Sequence, residues 1–340
     1  MRCTSVRPAE LGSTELALWR EYAQRGPRNP FLSPEYAQAV GEVRDAARVL
    51  VAEDAGQICG FLAIEQHGRI ARPIGSGLSD CEGWALAPAA SVPGGAALRS
   101  AGLIGWDFDT LLDEQVPAGA YRVRRERSPI IAMPDGYEAY LETVRARSKK
   151  WLSSMFRKQR KLEREVGEVR FEFASTDDAA LRALMRWKSG QYAQLGEWDR
   201  FADPGIVALV SGLMKLRSSS CSGALSVLWA GDVPVAAHAG LHSSSVLSWW
   251  FPAYDPAYGK YSPGILVLLH LLEGAAAHGI GVVDLGRGKH EYKDATKTGE
   301  LVVVTGSVDA PGVGALPRRV KRVARAGVRV ARKVTARVRA

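Results

Sequence analysis

The stretch Asp255 to Gly264, DPAYGKYSPG, runs directly into the apolar run ILVLLHLLEGAAAHG. A helix starting there leaves the N–H groups of its first turn unpartnered and presents a partial positive charge, so the loop is a ready anion site. Gly259 and Gly264 allow close backbone approach, and Lys260 adds a full charge. No Walker or GxGxxG spacing is present, so the loop by itself also reads as an ordinary glycine-containing turn. Around it stand residues able to move protons. His238, with an ordinary pKa of about 6.5, suits a general base, and it also fits a hydrogen-bonded core histidine. His242, four residues on, shares its strand face. Asp284 precedes Gly286 and Gly288; a carboxylate there can orient His238, accept a proton or cap its loop. Lys293 can hold an acceptor or a phosphate, or sit on the surface. A covalent route has less support, because Cys221 and the serines from Ser218 to Ser222 lack the GxSxG context of a nucleophile elbow. The cysteines Cys3, Cys59, Cys81 and Cys221 form no CxxC and lie far from histidines. A disulfide framework or a metal centre is therefore not expected.

The elements that must position these residues are legible in outline. Ser33-Pro34 is a helix start, and the helix runs to about Val43. ARVLVAED and ICGFLAIEQ flank Ala55-Gly56 as a hairpin. ARPIGSGLSD reads as a glycine-rich loop, and WDFDTLL and SPIIAM as further strands. From Tyr137 to Val166 the pattern is helical and basic, with ten Lys or Arg and three Glu between Arg145 and Arg170. Trp151, Met155 and Leu162 mark its apolar stripe. That charge reads as a solvated face or as an anion contact. VRFEFAS is a strand, and helices follow over Asp177 to Leu195 and Pro204 to Leu216. The stretch from Ala224 to Tyr254 reads as three strands, with turns at Gly231-Asp232 and Ser243 to Ser245. The helix after the loop has Ser262 as N-cap, Pro263 in its first turn and Gly279 as its stop. Strands IGVVDLG and Leu301 to Val308 complete the pattern, so the fold class is α/β with mixed sheets.

Several of these residues occur together in one family. Gly231-Asp232 to His238, Phe251-Pro252-Ala253-Tyr254-Asp255-Pro256-Ala257-Tyr258, Tyr261-Ser262-Pro263-Gly264, Asp284-Leu285-Gly286-Arg287-Gly288 and Tyr292-Lys293 stand in the order and spacing of GNAT-superfamily acetyltransferases. The segment resembles the CelD/BcsL family, associated with cellulose and exopolysaccharide synthesis. Asn29-Pro30-Phe31 and Pro73 to Asp80 match more weakly. The resemblance implies a tandem GNAT-like fold similar to that of the Fem aminoacyl transferases. It implies acetyl-CoA or another acyl-CoA as co-substrate, bound by Tyr258, Lys260, Tyr261, Ser262, Pro263 and Gly264. The usual Q/R-x-x-G-x-G/A arm is replaced here by Lys260-Tyr261-Ser262-Pro263-Gly264. Direct transfer to oxygen or nitrogen would use His238 or Asp284 as base, Tyr292 to protonate the leaving thiolate, and backbone N–H groups near His238 for the oxyanion. Asp255, Trp250, Arg287 and Lys293 are the expected acceptor contacts, although Asp255 also reads as the start of an Asp-Pro turn and Trp250 as core.

The chain of 340 residues divides on this reading into an N-terminal GNAT-like domain (1–136), a basic connecting helix (137–168), a C-terminal acyl-CoA-binding domain (169–310) and a tail (311–340). The net charge of +9 resides in the tail: ten of the 45 Lys and Arg lie beyond Leu316, which leaves 35 against 36 Asp and Glu. That balance argues against a nucleic-acid-binding body. Val320, Val323, Val330, Val334 and Val338 form one stripe among arginines. The pattern reads as a basic amphipathic helix for an anionic membrane surface, or as a disordered basic tail. No apolar run approaches the ~20 residues of a membrane span, and MRCTSVRPAELGSTEL lacks a signal-peptide core. The expected place is the cytoplasm, with peripheral attachment to the inner membrane face. Three functions follow: acyl transfer to a glycan or other polar acceptor, Fem-like transfer from aminoacyl-tRNA, and a non-catalytic scaffold of a polysaccharide synthesis complex.

Overall fold

The computed structural model describes residues 1–75 and 77–312, together with Arg318. The expected amphipathic tail helix lies outside the described residues, apart from Arg318. The first half contains β1 (Arg2–Val6), α1 (Ser13–Arg25), α2 (Pro34–Val43), β2 (Ala47–Asp54), β3 (Gln57–His67), β4 (Ile70–Pro73), β5 (Ala85–Leu86), α3 (Gly95–Ser100), β6 (Gly105–Leu112) and β7 (Tyr121–Ala132). The connecting helix is α4 (Gly136–Glu165). The second half contains β8 (Val169–Glu172), α5 (Asp178–Leu195), α6 (Pro204–Lys215), β9 (Ser222–Ala230), β10 (Val233–His242), β11 (Val246–Ser248), β12 (Phe251–Tyr254), α7 (Pro263–Ala277), β13 (Val282–Asp284), α8 (Glu291–Thr296) and β14 (Gly299–Asp309).

Local chemistry accounts for many boundaries. Ser33 accepts the Tyr36 N–H and Pro34 opens α2. Asp177 accepts the N–H groups of Ala179 and Ala180 at the start of α5, which ends on left-handed Gly196. Helix α4 kinks at Ser148, whose backbone is non-helical (φ −133°, ψ 41°). Helix α7 is apolar on almost all sides because it lies between the sheet and α4, with eight of its fifteen residues buried. The stretch after Gly231-Asp232 differs from expectation. The third strand is broken into β11 and β12, and the loop before α7 is wound into a 3-10 helix over Pro256–Tyr261.

The halves are topological repeats. In each, an edge strand precedes a hairpin, β1-β2-β3 and β8-β9-β10. The hairpin's second strand then pairs with two short strands in succession: β3 with β4 and β5, β10 with β11 and β12. The next strand joins in parallel, β6 on β4 and β13 on β11. The closing strands are exchanged. Strand β7 pairs with β13 of the second half, β14 pairs with β6 of the first, and β7 and β14 pair with each other. One 14-stranded sheet results, so the chain division near residue 136 runs through a shared sheet. Helices α1 and α2 share a core with α5 and α6, while α4 and α7 cover the opposite face of the second half. This is the tandem α/β arrangement that the GNAT resemblance implies. Among the described residues no helix is long and apolar enough to cross a membrane.

Candidate active site

The break between β11 and β12 opens the site. Trp249 and Trp250 interrupt the strand, and the Trp249 N–H donates to Asp284 O at 2.8 Å. Beyond that bond β13 leaves with β7, while β12 stays with β10. Among the described residues the outer edge of β12 therefore has no partner strand, a position in which Pro252 is tolerated. A cleft of about 620 Å³ lies along it, lined by Lys188 and Tyr192 of α5, Trp249, Pro252, Tyr254, and the start of α7. Lys188 donates to Pro252 O at 3.2 Å, and burial pushes its ammonium down to about 8.

At one end of the cleft stands the N-terminus of α7. Ser262 adopts a left-handed conformation (φ 55°) and its side chain caps nothing; Pro263 has no N–H and Ser262 O takes the Ile265 N–H at 2.9 Å, so the Gly264 N–H is the first-turn donor left without a partner among the described residues. The cation beside it comes from α4: Lys158 Nζ donates to Ser262 Oγ at 2.6 Å. The expected Lys260 is instead held by Glu165 at 3.1 Å, and its side chain is 59% exposed. Tyr261 is buried and also donates to Glu165, at 2.7 Å. Tyr258 packs against the α4–α7 core. Of the expected donor-binding residues, Ser262 and Gly264 line the cleft, while Tyr258, Lys260, Tyr261 and Pro263 do not. Gly264 meets a tight fit, since a Cβ there would stand 3.1 Å from Tyr254 Cδ1.

At the other end, Tyr292 accepts the Trp249 indole N–H at 3.2 Å, which leaves its own hydrogen free to donate. Burial pushes this phenol up to about 12, so it stays protonated at neutral pH. His290 stacks on the Tyr292 ring and is exposed. Behind them lies a charge cluster drawn from both halves. Asp284 is buried and accepts Ser128 Oγ–H at 3.0 Å, the Gly286 N–H at 3.0 Å and Asn29 Nδ2–H at 3.4 Å. Burial raises its carboxyl above the ordinary range against the pull of these donors and Lys293. Lys293 is buried and donates to the carbonyls of Gly286 and Arg287, at 2.9 and 2.8 Å. Asp80 faces the same turn, its Oδ2 lying 3.6 Å from where a Cβ on Gly286 would stand. Its surface is partly open, but burial and the Asp284 charge raise its carboxyl to about 7, against Lys293, Arg287 and Arg200.

Several expected roles change. His238 is fully buried, stacks on Trp249 and bonds Ser248 O at 3.1 Å. Its ring fills the space a side chain at Gly240 would need. Burial lowers it to about 3, so it is a neutral core histidine, out of reach of an acceptor. His242 binds its neighbour's carbonyl, Ser243 O, at 2.9 Å. Trp250 is core: its indole donates to Leu78 O at 2.8 Å and its ring meets Phe31 edge-on. Asp255 caps the 3-10 helix by accepting the Ala257 N–H at 2.9 Å. Arg287 is engaged by Asp109 at 2.7 Å and Glu126 at 3.2 Å, and so braces the 286–288 turn on β6 and β7. Burial pushes the Cys221 thiol up to about 12, which makes it a poor nucleophile. Asp80, Lys158, Lys188 and His290 were missed as site residues. Asp80 carried a signal as the last residue of the Pro73 to Asp80 segment, and Lys158 as part of the basic helix read as an anion contact.

The family model described as acetyltransferase (GNAT) domain matches residues 149–294, the segment that builds both walls of the cleft. This segment is a GNAT acetyltransferase domain. The chain accordingly carries a GNAT acyltransferase domain over that segment. Solved structures similar to the whole chain include FemX, at 9% identity and TM-score 0.60, covering 93% of this chain and 98% of that one. A Bacteroides thetaiotaomicron protein of unknown function has 10% identity and TM-score 0.56, with 88% and 98% covered. The C-terminal domain of a lysylphosphatidylglycerol synthetase from Agrobacterium fabrum has 13% identity and TM-score 0.53, with 91% and 96% covered. At such identities the likeness is one of fold. No curated protein sequence matches the chain.

Proposed function

We propose that this GNAT domain transfers an acyl group, most simply acetyl, from coenzyme A directly to an amine or hydroxyl of a polar acceptor such as a glycan, in keeping with the CelD/BcsL resemblance. The observation that carries the reading is the free edge of β12, ending at an uncapped helix N-terminus with Lys158 beside it. Such an edge can pair the amides of an extended ligand, and the helix end with its lysine suits a pyrophosphate. The co-substrate supplies an activated thioester carbonyl. The acceptor atom bonds to the acyl carbon, its proton passes to Asp80, and the C–S bond breaks with Tyr292 protonating the departing sulfur. Asp80 takes the role first expected of His238, because a carboxyl near 7 can accept a proton at neutral pH. Burial and the Asp284 charge raise Asp80 into that range against the pull of Lys293. Attachment of the basic tail to an anionic membrane surface belongs to the same reading, and would bring the domain to a membrane-associated acceptor.

Calorimetric titration with acetyl-CoA tests the donor. Saturable binding that weakens in Lys158→Ala supports the reading; no binding by folded protein refutes it. One observation favours a second donor, aminoacyl-tRNA. Helix α4 exposes Lys149, Lys150, Arg157, Arg160 and Arg164, none in an ion pair among the described residues. The fold likeness to FemX agrees with that alternative about as well. Salt-sensitive tRNA binding without acetyl-CoA binding would select it.

A further inference from the structure

The donor cleft is not the only opening at His290. A second groove of about 600 Å³ lies on the far side of the 286–290 turn, walled by β7 and the segment from Gly288 to Glu300. His290 lines both openings, so they meet at that ring. Most cations of the second groove are already matched. Arg125 pairs with Asp113 at 2.7 Å, Arg127 with Glu300 at 3.0 Å, and Lys297 with Asp294 and Glu300, each at 2.7 Å. Three nitrogenous side chains form no ion pair. Lys289 and His290 are exposed and form no hydrogen bond or ion pair among the described residues, and Lys293 donates to carbonyls while Asp80 and Asp284 face it from behind.

Two of these converge on one open point. Gly288 has φ +108°, and where its Cβ would stand is 3.7 Å from His290 Nε2 and 3.9 Å from Lys293 Nζ. The absent side chain thus leaves a small cradle, floored by a buried ammonium and flanked by an imidazole, with Lys289 next in the chain at its mouth. Both nitrogens thus flank the side-chain-free face of Gly288, and an oxyanion standing over that face could accept from both.

We propose that the cradle at Gly288, formed by His290, Lys293 and Lys289, binds a phosphate ester carried by the acceptor. It would hold the acceptor in the second groove with its nucleophile directed past His290 into the donor cleft. This rests on the acyl-transfer reading for the role of the groove, and it adds the acceptor's chemical class. His290 is neutral at pH 7, because burial and the charges of Lys293 and Lys188 lower it. A bound dianion would reverse that balance and favour its protonated form.

The test follows the His290 ring resonance by NMR across a pH titration, in full-length protein saturated with coenzyme A. The resonance is assigned by its loss in His290→Gln. Addition of inorganic phosphate should raise the His290 midpoint by about half to one pH unit and leave the buried His238 signal unmoved. Lys289→Gln, an exposed change, should raise the phosphate concentration required about three- to tenfold. Glycerol 3-phosphate and phosphatidate vesicles, added separately, distinguish a soluble phosphate ester from a lipid headgroup; a shift with either supports the subsite. A His290 midpoint indifferent to phosphate and to both esters overturns it. If acetyl-CoA binds and His290 does not respond, the subsite fails and the donor reading stands. If coenzyme A does not bind but phosphate shifts His290 in the free protein, the donor reading fails and the subsite stands.

Discussion

Replacing Asp80 by Asn should make the protein more stable in alkaline solution while abolishing most of its turnover. The folded carboxyl lies at about 7 against an ordinary 3.8. A carboxyl raised on folding holds its proton more tightly in the native state. Its contribution is harmless below pH 4 and becomes a growing cost as pH rises from 4 to 7. At 1.36 kcal/mol per pH unit the full gap is worth about 4 kcal/mol. Asp80 is partly open to solvent, which reduces the figure to about 2–4 kcal/mol. Asparagine carries no charge to desolvate and exerts no like-charge push on Asp284. Urea unfolding, followed by tryptophan fluorescence, gives stability for parent and Asp80→Asn at pH 4.5 and pH 8.5. The variant's advantage should grow by about 2–4 kcal/mol between the two conditions. An advantage that does not change with pH, or a variant weaker than the parent at pH 8.5, would refute the argument that burial and Asp284 destabilise the Asp80 carboxylate. Turnover should fall about 10²–10⁴-fold, the usual contribution of a positioned base.

Lys158→Ala should weaken acetyl-CoA binding about tenfold by calorimetry, in line with the loss of one charge-assisted contact, while Lys260→Ala changes it less than about threefold because Glu165 already holds that ammonium. Tyr292→Phe keeps the ring but removes the hydrogen that Trp249 leaves free; a stopped assay of released thiol should show turnover lowered about 10²-fold with acetyl-CoA affinity retained. His238→Phe should lower stability by about 1–3 kcal/mol, because Ser248 O loses its partner, yet leave turnover of the folded protein within about threefold; a loss as large as that of Asp80→Asn would restore His238 as the base.

The outline of the site was legible wherever short-range chemistry decides. Ser33 and Pro34 start α2, Ala55-Gly56 turns the β2–β3 hairpin, and Pro263 opens the apolar helix, because capping, turn geometry and proline's fixed φ act within a few residues. Ser262 shows the limit of that logic. It has the right type and position for an N-cap, but its left-handed backbone turns the hydroxyl away, and Lys158 donates to it. The break between β11 and β12 was also unreadable, since Trp249, Trp250 and Phe251 look like a continuous apolar strand.

What remained hidden depended on which distant groups share a charge. Lys260 is nearest in sequence to the helix N-terminus, yet Glu165 takes it, and a lysine from α4 stands in its place. His238 looked like a base because its ordinary pKa suits one. Its position on a central strand, under Trp249 and over Gly240, removes it from water. Asp80 appeared only as the end of a glycine-rich loop, and the exchanged strands β7 and β14 bring that loop's half against Asp284 and Lys293. The acyltransferase resemblance of the second half, the start of α7 and the polar turn from Asp284 to Lys293 could thus be read along the chain, because each is a contiguous pattern. Which groups stand at the cleft and which lie buried behind it was settled by the packing of the two halves, since burial and long-range electrostatics depend on neighbours that the chain order does not place together.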